Sequence, residues 1–345
     1  MKEKDLDIIN PVFKNIESEE DVVLNLSLRP KNLTDFVGQK AIIDNLNISI
    51  TAARQRNEQL EHLLLSGPPG LGKTTLAHIV AHEMNTKITA TSGPAIAKAG
   101  DLIGILTNLE KGDILFIDEI HRLSKVVEEF LYPAMEEFQI DFVIDKGPYA
   151  KTIKFNLKPF TLVGATTRTG LLSSPLRTRF GLFHHVDFYS DDDLKKIIKN
   201  SSSLLNLKID NDAAGEIAKR SRGTPRIANR LVRRIRDYAQ VKKIETVDSE
   251  CAIDALKRLG IDSAGLDEFD RKFLKVLIDN YNGGPVGVES LAATLNEEND
   301  TLIDTIEPFL LKAGFIKRTP RGREATELSF KHLNLTSKKL QKELF

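Results

Sequence analysis

Between Leu28 and about Val186, short apolar runs alternate with amphipathic stretches: Leu63-Leu64-Leu65, then Ile114-Leu115-Phe116-Ile117, then Phe160-Thr161-Leu162-Val163. Uninterrupted apolar runs of strand length, separated by helical periods, predict parallel strands buried on both faces. From Tyr189 to about Leu259 only helical periods are found, with Asp191 and Asp210 as helix starts, so a small helical domain is expected there. Past Gly260 to Gly265, Phe269, Phe273, Val276 and Leu277 are spaced for one helix face, and this third unit ends in the turn-rich run Lys317-Arg318-Thr319-Pro320-Arg321-Gly322-Arg323. Within it, Pro308 interrupts the apolar series Ile303, Ile306, Leu310 and predicts a kink or a helix restart. The segments Phe142-Val143-Ile144 and Ile153-Lys154-Phe155, around Asp145-Lys146-Gly147-Pro148, predict a β-hairpin turning at Lys146-Gly147. Residues up to Val22 show no sustained period and read as a poorly ordered arm. The expected division is an arm over 1–22, an α/β domain with a parallel sheet over 23–188 carrying a hairpin insertion at about 139–158, a helical domain over 189–260, a third domain over 261–336 and a tail over 337–345.

Charge changes this picture little. Lys+Arg and Asp+Glu are both 49 in 345 residues, so no global positive field points to nucleic acid, and any DNA contact must come from a local patch. One cysteine, Cys251, excludes an intramolecular disulfide framework and fits a reducing compartment. No apolar run approaches a membrane span, and Met1-Lys2-Glu3-Lys4-Asp5 is too charged for a signal peptide, so a soluble cytoplasmic protein is expected.

Candidate chemistry centres on residues 67–74, Gly-Pro-Pro-Gly-Leu-Gly-Lys-Thr, which lie between an expected strand and an expected helix. In that context the pattern is a phosphate-binding loop. Its glycines, Gly70 and Gly72 among them, let backbone N–H groups turn toward a β-phosphate, Lys73 reaches the β- and γ-oxygens, and the Thr74 hydroxyl can sit on Mg²⁺. ATP and Mg²⁺ are the implied cofactors. The strand 114–117 delivers Asp118 and Glu119 at its carboxyl end, where open α/β sheets form their ligand crevice. Asp118 can order the waters of Mg²⁺, and Glu119 can orient a water for in-line attack. His121, without partners at ligand spacing, reads as a local hydrogen-bonding residue rather than a metal ligand. Thr167 ends the next strand and can sense the γ-phosphate or hold the attacking water. Arg179 follows in Ser174-Pro175-Leu176-Arg177-Thr178-Arg179; pointed into a neighbouring subunit's nucleotide it supplies a charge worth about 10³ to 10⁵ in rate. A surface salt bridge is the competing account of it. Thr224 and Pro225 open a helix in the small domain and put Arg226 in its first turn, within reach of a γ-phosphate bound on the large domain.

In this order, over a large α/β and a small helical domain, these residues resemble the AAA+ ATPases. Longer strings narrow the resemblance to the RuvB family, the bacterial motors of Holliday junction branch migration: Ser92-Gly93-Pro94, residues 98–102, Phe116 to Leu123, Gly164-Ala165-Thr166-Thr167-Arg168, Gly223 to Leu231, and Arg318 to Arg323. The likeness runs from about Leu28 to Leu335. It implies a P-loop ATPase core with a parallel sheet, a small helical lid and a C-terminal winged helix, acting as a hexameric ring on duplex and Holliday-junction DNA in recombination and repair. RuvA is the implied partner, with the resolvase RuvC as a further one. Leu28 and Arg29 match adenine-side positions, Gly70, Lys73, Thr74 and Thr75 the phosphate and magnesium positions, and Arg226 the small-domain sensor. Glu136, Glu137, Phe138 and Tyr189 match further nucleotide-contacting positions. Where the family often carries tyrosine this chain has Phe138, which leaves a backbone contact only. The hairpin insertion docks RuvA in the family, and Val143 or Ile144 would suit a protein partner; packing on its own domain is the alternative. Arg318 and Arg323 match DNA-contacting positions, and Arg321 completes a positive tip that would grip the phosphate backbone without reading sequence. At Asn299 the family commonly has arginine, which implies one weaker DNA contact.

Two other functions fit parts of this pattern. A DNA-bound ATP switch of the initiator or clamp-loader type also joins an AAA+ core to a winged helix but does not translocate. A protein-remodelling unfoldase is disfavoured, because no aromatic-bearing pore loop is found.

Overall fold

In the computed structural model, which describes residues 28–144 and 151–335, the apolar runs become the centre of one parallel sheet. Strands β1 (Leu63–Ser66), β2 (Ile88–Ser92), β3 (Ile114–Asp118), β6 (Thr161–Thr166) and β7 (Leu182–His185) lie in the order β2-β3-β6-β1-β7. Between β3 and β6 in the chain, β4 (Gln139–Ile144) and β5 (Lys151–Asn156) pair antiparallel as the expected hairpin, with Val143 opposite Thr152 and Ile144 opposite Lys151. Its turn at Lys146-Gly147, the arm to Val22 and the tail over 337–345 lie outside the described residues.

Side chains alternate between sheet faces, so each strand feeds two cores. Leu63, Leu65, Phe116, Val163 and Ala165 pack on one face with Leu76, Ile79 and Val80 of helix α2 (Lys73–Met84), which follows α1 (Lys40–Arg56). On the other face, Leu64, Leu115, Ile117 and Leu162 pack with Leu102 of α3 (Ala99–Thr107) and Leu131 of α4 (Lys125–Glu136). The short helix α5 (Ser174–Thr178) comes before the edge strand β7.

The next segment is helical: α6 (Asp191–Leu204), α7 (Asn211–Lys219), α8 (Pro225–Lys242) and α9 (Ser249–Arg258). Ser190 caps α6, its hydroxyl accepting from the Asp193 N–H at 3.2 Å, so Asp191 is the first helical residue. Asp210 is itself the cap of α7 and accepts from the N–H groups of Asp212 and Ala213 at 3.0 and 2.7 Å. One feature departs from the all-helical expectation: β8 (Lys208–Ile209) pairs in parallel with β9 (Thr246–Val247). Two residues per strand are too few to display a period of two. Ile198, Leu231 and Leu256 of these helices join the same core as the α2 face of the sheet.

The third unit packs α10 (Glu268–Asp279), α11 (Val288–Leu295) and a helical stretch of α12 (Asn299–Thr301), a π turn (Leu302–Ile306) and α13 (Glu307–Lys312) around Phe273, Leu277, Leu291, Leu302 and Leu310. Pro308 sits in the first turn of α13. Lacking an N–H, it cannot continue the α ladder through Asp304, and the helix widens into the π turn before restarting. The hairpin of β10 (Ile316–Thr319) and β11 (Gly322–Ala325) turns at Pro320-Arg321, and α14 (Glu327–His332) follows, a helix the sequence reading does not anticipate.

The helical and third units meet through a buried charge cluster. Arg222, with both partners nearly inaccessible, pairs with Asp267 and, at 2.7 Å, with Asp270, while its Nε donates to the Gly265 carbonyl at 2.9 Å. Burial pushes the Asp270 carboxyl up, against the opposing pull of Arg222. Arg222→Leu would leave two acids buried without their cation, and is expected to cost about 3–5 kcal/mol. A calorimetric melting temperature unchanged from the parent chain would refute this.

Candidate nucleotide-binding site

β1 ends at Ser66, and the chain turns at once. Gly67 has a φ of 131°, and a Cβ there would fall 2.1 Å from the Val186 carbonyl oxygen, so the loop can pass only if this residue is glycine. Gly70 (φ 78°) faces the lid: a Cβ would meet the Thr224 methyl at 2.9 Å, and its carbonyl accepts from the Arg226 N–H at 3.3 Å. Thr224 occupies the cap position of α8, yet its hydroxyl donates to the Arg222 carbonyl at 3.3 Å instead of capping the helix.

Lys73, at the first position of α2, is 7% exposed and donates to the Gly67 and Pro68 carbonyls at 2.7 and 2.8 Å. Burial lowers its pKa to about 8; Asp118, Asp304 and Glu119 pull it back up, and Arg226 pushes it further down. Thr74 and Thr75 follow in the same turn, half-buried, at the helix terminus where N–H groups and the dipole favour anions.

The register places the other candidates at the same sheet edge. Ser92 pairs with Asp118, and Ser66 with Thr166, so β2, β3, β6 and β1 all end beside the loop. Asp118 Oδ1 accepts from the Glu119 N–H at 2.9 Å. Glu119 adopts a left-handed conformation (φ 48°), uncommon for a residue with a side chain, and its carboxylate pairs with Arg122 at 3.1 Å. Gly93 explains the Ser92-Gly93-Pro94 string, since a Cβ there would lie 2.5 Å from the Glu119 carbonyl oxygen. His121 Nδ1 lies 3.0 Å from the Thr166 hydroxyl, which accepts from the Arg168 N–H at 3.0 Å, and burial lowers the pKa of the ring. Thr167 Oγ1 is buried without a hydrogen-bond partner among the described residues.

Tyr189 is buried beneath the loop. Its hydroxyl donates to the Leu71 carbonyl at 3.1 Å, and burial raises its pKa well above the usual phenol range. Leu28 is buried, and Arg29 lies close enough to His78 of α2 to help lower its pKa.

A second group of candidates gathers at the end of α4. The Arg179 guanidinium pairs with Glu136 at 3.2 Å and donates to the Pro175 carbonyl at 2.7 Å. Phe138 (φ 51°) turns its ring edge-on to Phe160 at 5.8 Å, and its carbonyl accepts from the Leu157 N–H. Glu137 is exposed beside it. None of these acts on the charge of Lys73, whose electrostatic neighbours are the strand-end acids, Arg226 and Asp304.

Sequence reasoning missed that last residue. Arg168, directly after Thr167, forms a two-pronged pair with Asp304 (both contacts 2.7 Å) and reaches Asp300 at 2.9 Å. The third unit thus touches the loop region through the π turn of Pro308. Only the proline hinted at it. In the hairpin of the third unit, Arg318 and Arg323 both pair with the fully buried Glu307, at 2.9 and 2.7 Å, while Arg321 is exposed at the tip.

A phosphate loop on an inner parallel strand, acids on the next strand but one, and a helical lid returning an arginine to the loop define a P-loop nucleotide-binding protein of the AAA+ class. Comparison with known proteins specifies it further. Family models match for the Holliday junction DNA helicase RuvB P-loop domain (residues 28–186), the RuvB AAA lid domain (189–262) and the RuvB C-terminal winged helix domain (263–334), and the chain belongs to the RuvB family. It is 55% identical to the Holliday junction branch migration complex subunit RuvB of Desulfosudis oleivorans, over 97% of this chain and 99% of that one. With the Thermotoga petrophila subunit it shares 58%, over 89% and 92%. The solved RuvB Holliday junction branch migration motor of Thermotoga maritima superposes with a TM-score of 0.84 at 54% identity, covering 90% of this chain and 99% of that one. Among the described residues no helix is long and apolar enough to cross a membrane.

The depressed Lys73 gives a pH signature. At about pH 7 the free protein already carries the charge, so ATP binding takes up almost no proton there; at about pH 9 the free lysine is mostly neutral, and a polyphosphate must recharge it. Titration calorimetry in buffers of different ionisation enthalpy is expected to report proton uptake approaching one at the higher pH. Equal uptake at both values would contradict the assignment.

Proposed function

We propose that this protein is the ATP-hydrolysing motor subunit of Holliday junction branch migration, working as a homohexameric ring on duplex DNA with RuvA at the junction and RuvC as a later partner, in the cytoplasm. The observation that carries the reading is the continuity of the three RuvB-type domains along residues 28–334 at more than half identity to branch migration subunits.

The residues support each step. Gly70, Gly72, Lys73, Thr74 and Thr75 cradle the phosphates, with Leu28, Arg29 and Tyr189 on the base side. Thr74 and Asp118 form a hard oxygen donor set suited to Mg²⁺, which when bound neutralises charge on the β- and γ-phosphates. Glu119, directly after β3, orients the attacking water. The unpartnered Thr167 hydroxyl senses the γ-phosphate. Arg226 brings the lid onto the same phosphate, while Arg179, with Glu136, Glu137 and Phe138, faces the nucleotide of the next subunit. Arg318, Arg321 and Arg323 grip the DNA backbone, and the hairpin carrying Val143 and Ile144 receives RuvA.

Purified protein, ATP and Mg²⁺, with and without a bacterial RuvA, should move a synthetic four-way junction, and Glu119→Gln should bind ATP but lose turnover by about 10² or more. ATP-dependent DNA binding with no junction movement would replace the motor by a non-translocating switch. Arg179→Ala should be inactive alone and regain turnover in mixed rings with Lys73→Ala subunits, which contribute an intact arginine; an absence of complementation would remove the trans role.

A further inference from the structure

Arg179 does not hang free at the end of α5. Its guanidinium carbon lies 4.4 Å from the centroid of the Tyr132 ring, on α4. The ring is itself fixed. Its hydroxyl donates to Glu128 Oε2 at 3.1 Å and lies 3.1 Å from the Ser173 hydroxyl, which donates to the same carboxylate oxygen at 2.6 Å. Glu128 is buried, at 5% exposure, so its carboxylate depends on these two hydroxyls, and they are correspondingly hard to move. Ser173 also accepts from the Leu176 N–H at 3.3 Å and so caps α5, whose C-cap residue is Arg179. One buried carboxylate therefore sets both the ring under the guanidinium and the helix that presents it.

We propose that Tyr132 is a positioning residue for hydrolysis: its anchored ring lies against the Arg179 guanidinium and restricts the rotamers from which that side chain exchanges Glu136 for the nucleotide of the neighbouring subunit. The proposal rests on the trans reading of Arg179. An arginine on a flexible stem must lose rotamer freedom to meet a transferring phosphoryl group; here much of that ordering is already present in the single chain. Arg179 Nε is buried without a partner, so the arrangement is not explained by satisfying every donor within the chain. Glu136, the opposing contact, is a half-exposed carboxylate that a more highly charged phosphate can displace.

The test uses the full chain with DNA. Tyr132→Met, which keeps an apolar side chain on α4 without the ring, is expected to lower kcat for ATP about tenfold with KM nearly unchanged, and Tyr132→Leu should behave alike. Tyr132→Phe keeps the ring face but loses its tether to Glu128, and should retain clearly more of the rate than Tyr132→Met. The readout that a merely structural role would not move is complementation: mixed with Lys73→Ala subunits, Tyr132→Met should regain turnover, because its own nucleotide site is intact and the neighbour presents a well-held Arg179. Unchanged kcat in Tyr132→Met and Tyr132→Leu, a loss in Tyr132→Phe as large as in Tyr132→Met, or a loss that mixing does not restore would each overturn the proposal. Arg179→Ala measured alongside separates the two readings: full turnover in that variant removes the arginine finger itself, whereas its inactivity beside a fully active Tyr132→Met removes only the role of the ring.

Discussion

A lysine ammonium enclosed by backbone is the constraint on which the large domain is built. Lys73 is held by two carbonyls inside a turn that only glycine can make, with the lid arginine close enough to disfavour its charge. An isolated buried ammonium is costly, and here the compensation comes from strand-end acids that cannot be elsewhere. Asp118 and Glu119 reach it because β3 is parallel to β1 and separated from it only by β6. Parallel order, glycine turn and acidic pair are thus one requirement met three ways. The site is poised for an anion: it lacks a strong counter-charge in direct contact with the lysine, and a polyphosphate would supply one.

Contacts between units radiate from the same place. Gly70 touches the lid at Arg226, Arg222 four residues earlier is locked to Asp267 and Asp270 at the start of α10, and Arg168 at the end of β6 clasps Asp304. The chain between loop and third unit therefore runs along two routes, one through the lid and one direct. The routes differ in character. Arg222 is sealed from solvent, and breaking it would strand charges, so lid and third unit are expected to move as one. The Arg168 contact is partly exposed, with Asp300 well solvated, and can open at modest cost. Asp304 is also near enough to Lys73 to raise its pKa, so a γ-phosphate arriving at the lysine meets a carboxylate of like sign. The weaker of the two clasps therefore lies within electrostatic reach of the loop lysine.

What the sequence made legible follows the range of each interaction. Strand runs, the phosphate loop, the acidic pair and the winged hairpin are local patterns, and each lies where its period or spacing put it. The pair of short strands β8 and β9 was invisible because their partners are 38 residues apart and too short for any pattern. Asp304 could not be read as part of the loop region: one exposed-looking acid in an amphipathic helix carries no mark of the arginine 136 residues away. Tyr132 was equally silent, since a tyrosine on a helix face is usually core. By contrast Pro308 did announce an irregularity, and the π turn is how the backbone resolves a missing donor without giving up the helix.

The winged hairpin shows how a chain of no net charge can still carry a local positive edge. Its three arginines are not three free positive charges. Glu307 is fully buried and is met by Arg318 and Arg323, and Lys317 is paired with Glu324 across the strands. Arg323 is mostly enclosed, and its pairing braces the wing against α13. Arg318 is half-exposed and can share its guanidinium between Glu307 and an outside phosphate, while Arg321 stands at the tip. Such a hairpin offers a small, stiff positive edge, not a field. In the motor proposed above, contacts of that kind would serve better than many strong ones, because the affinity of each step also sets the barrier to leaving it.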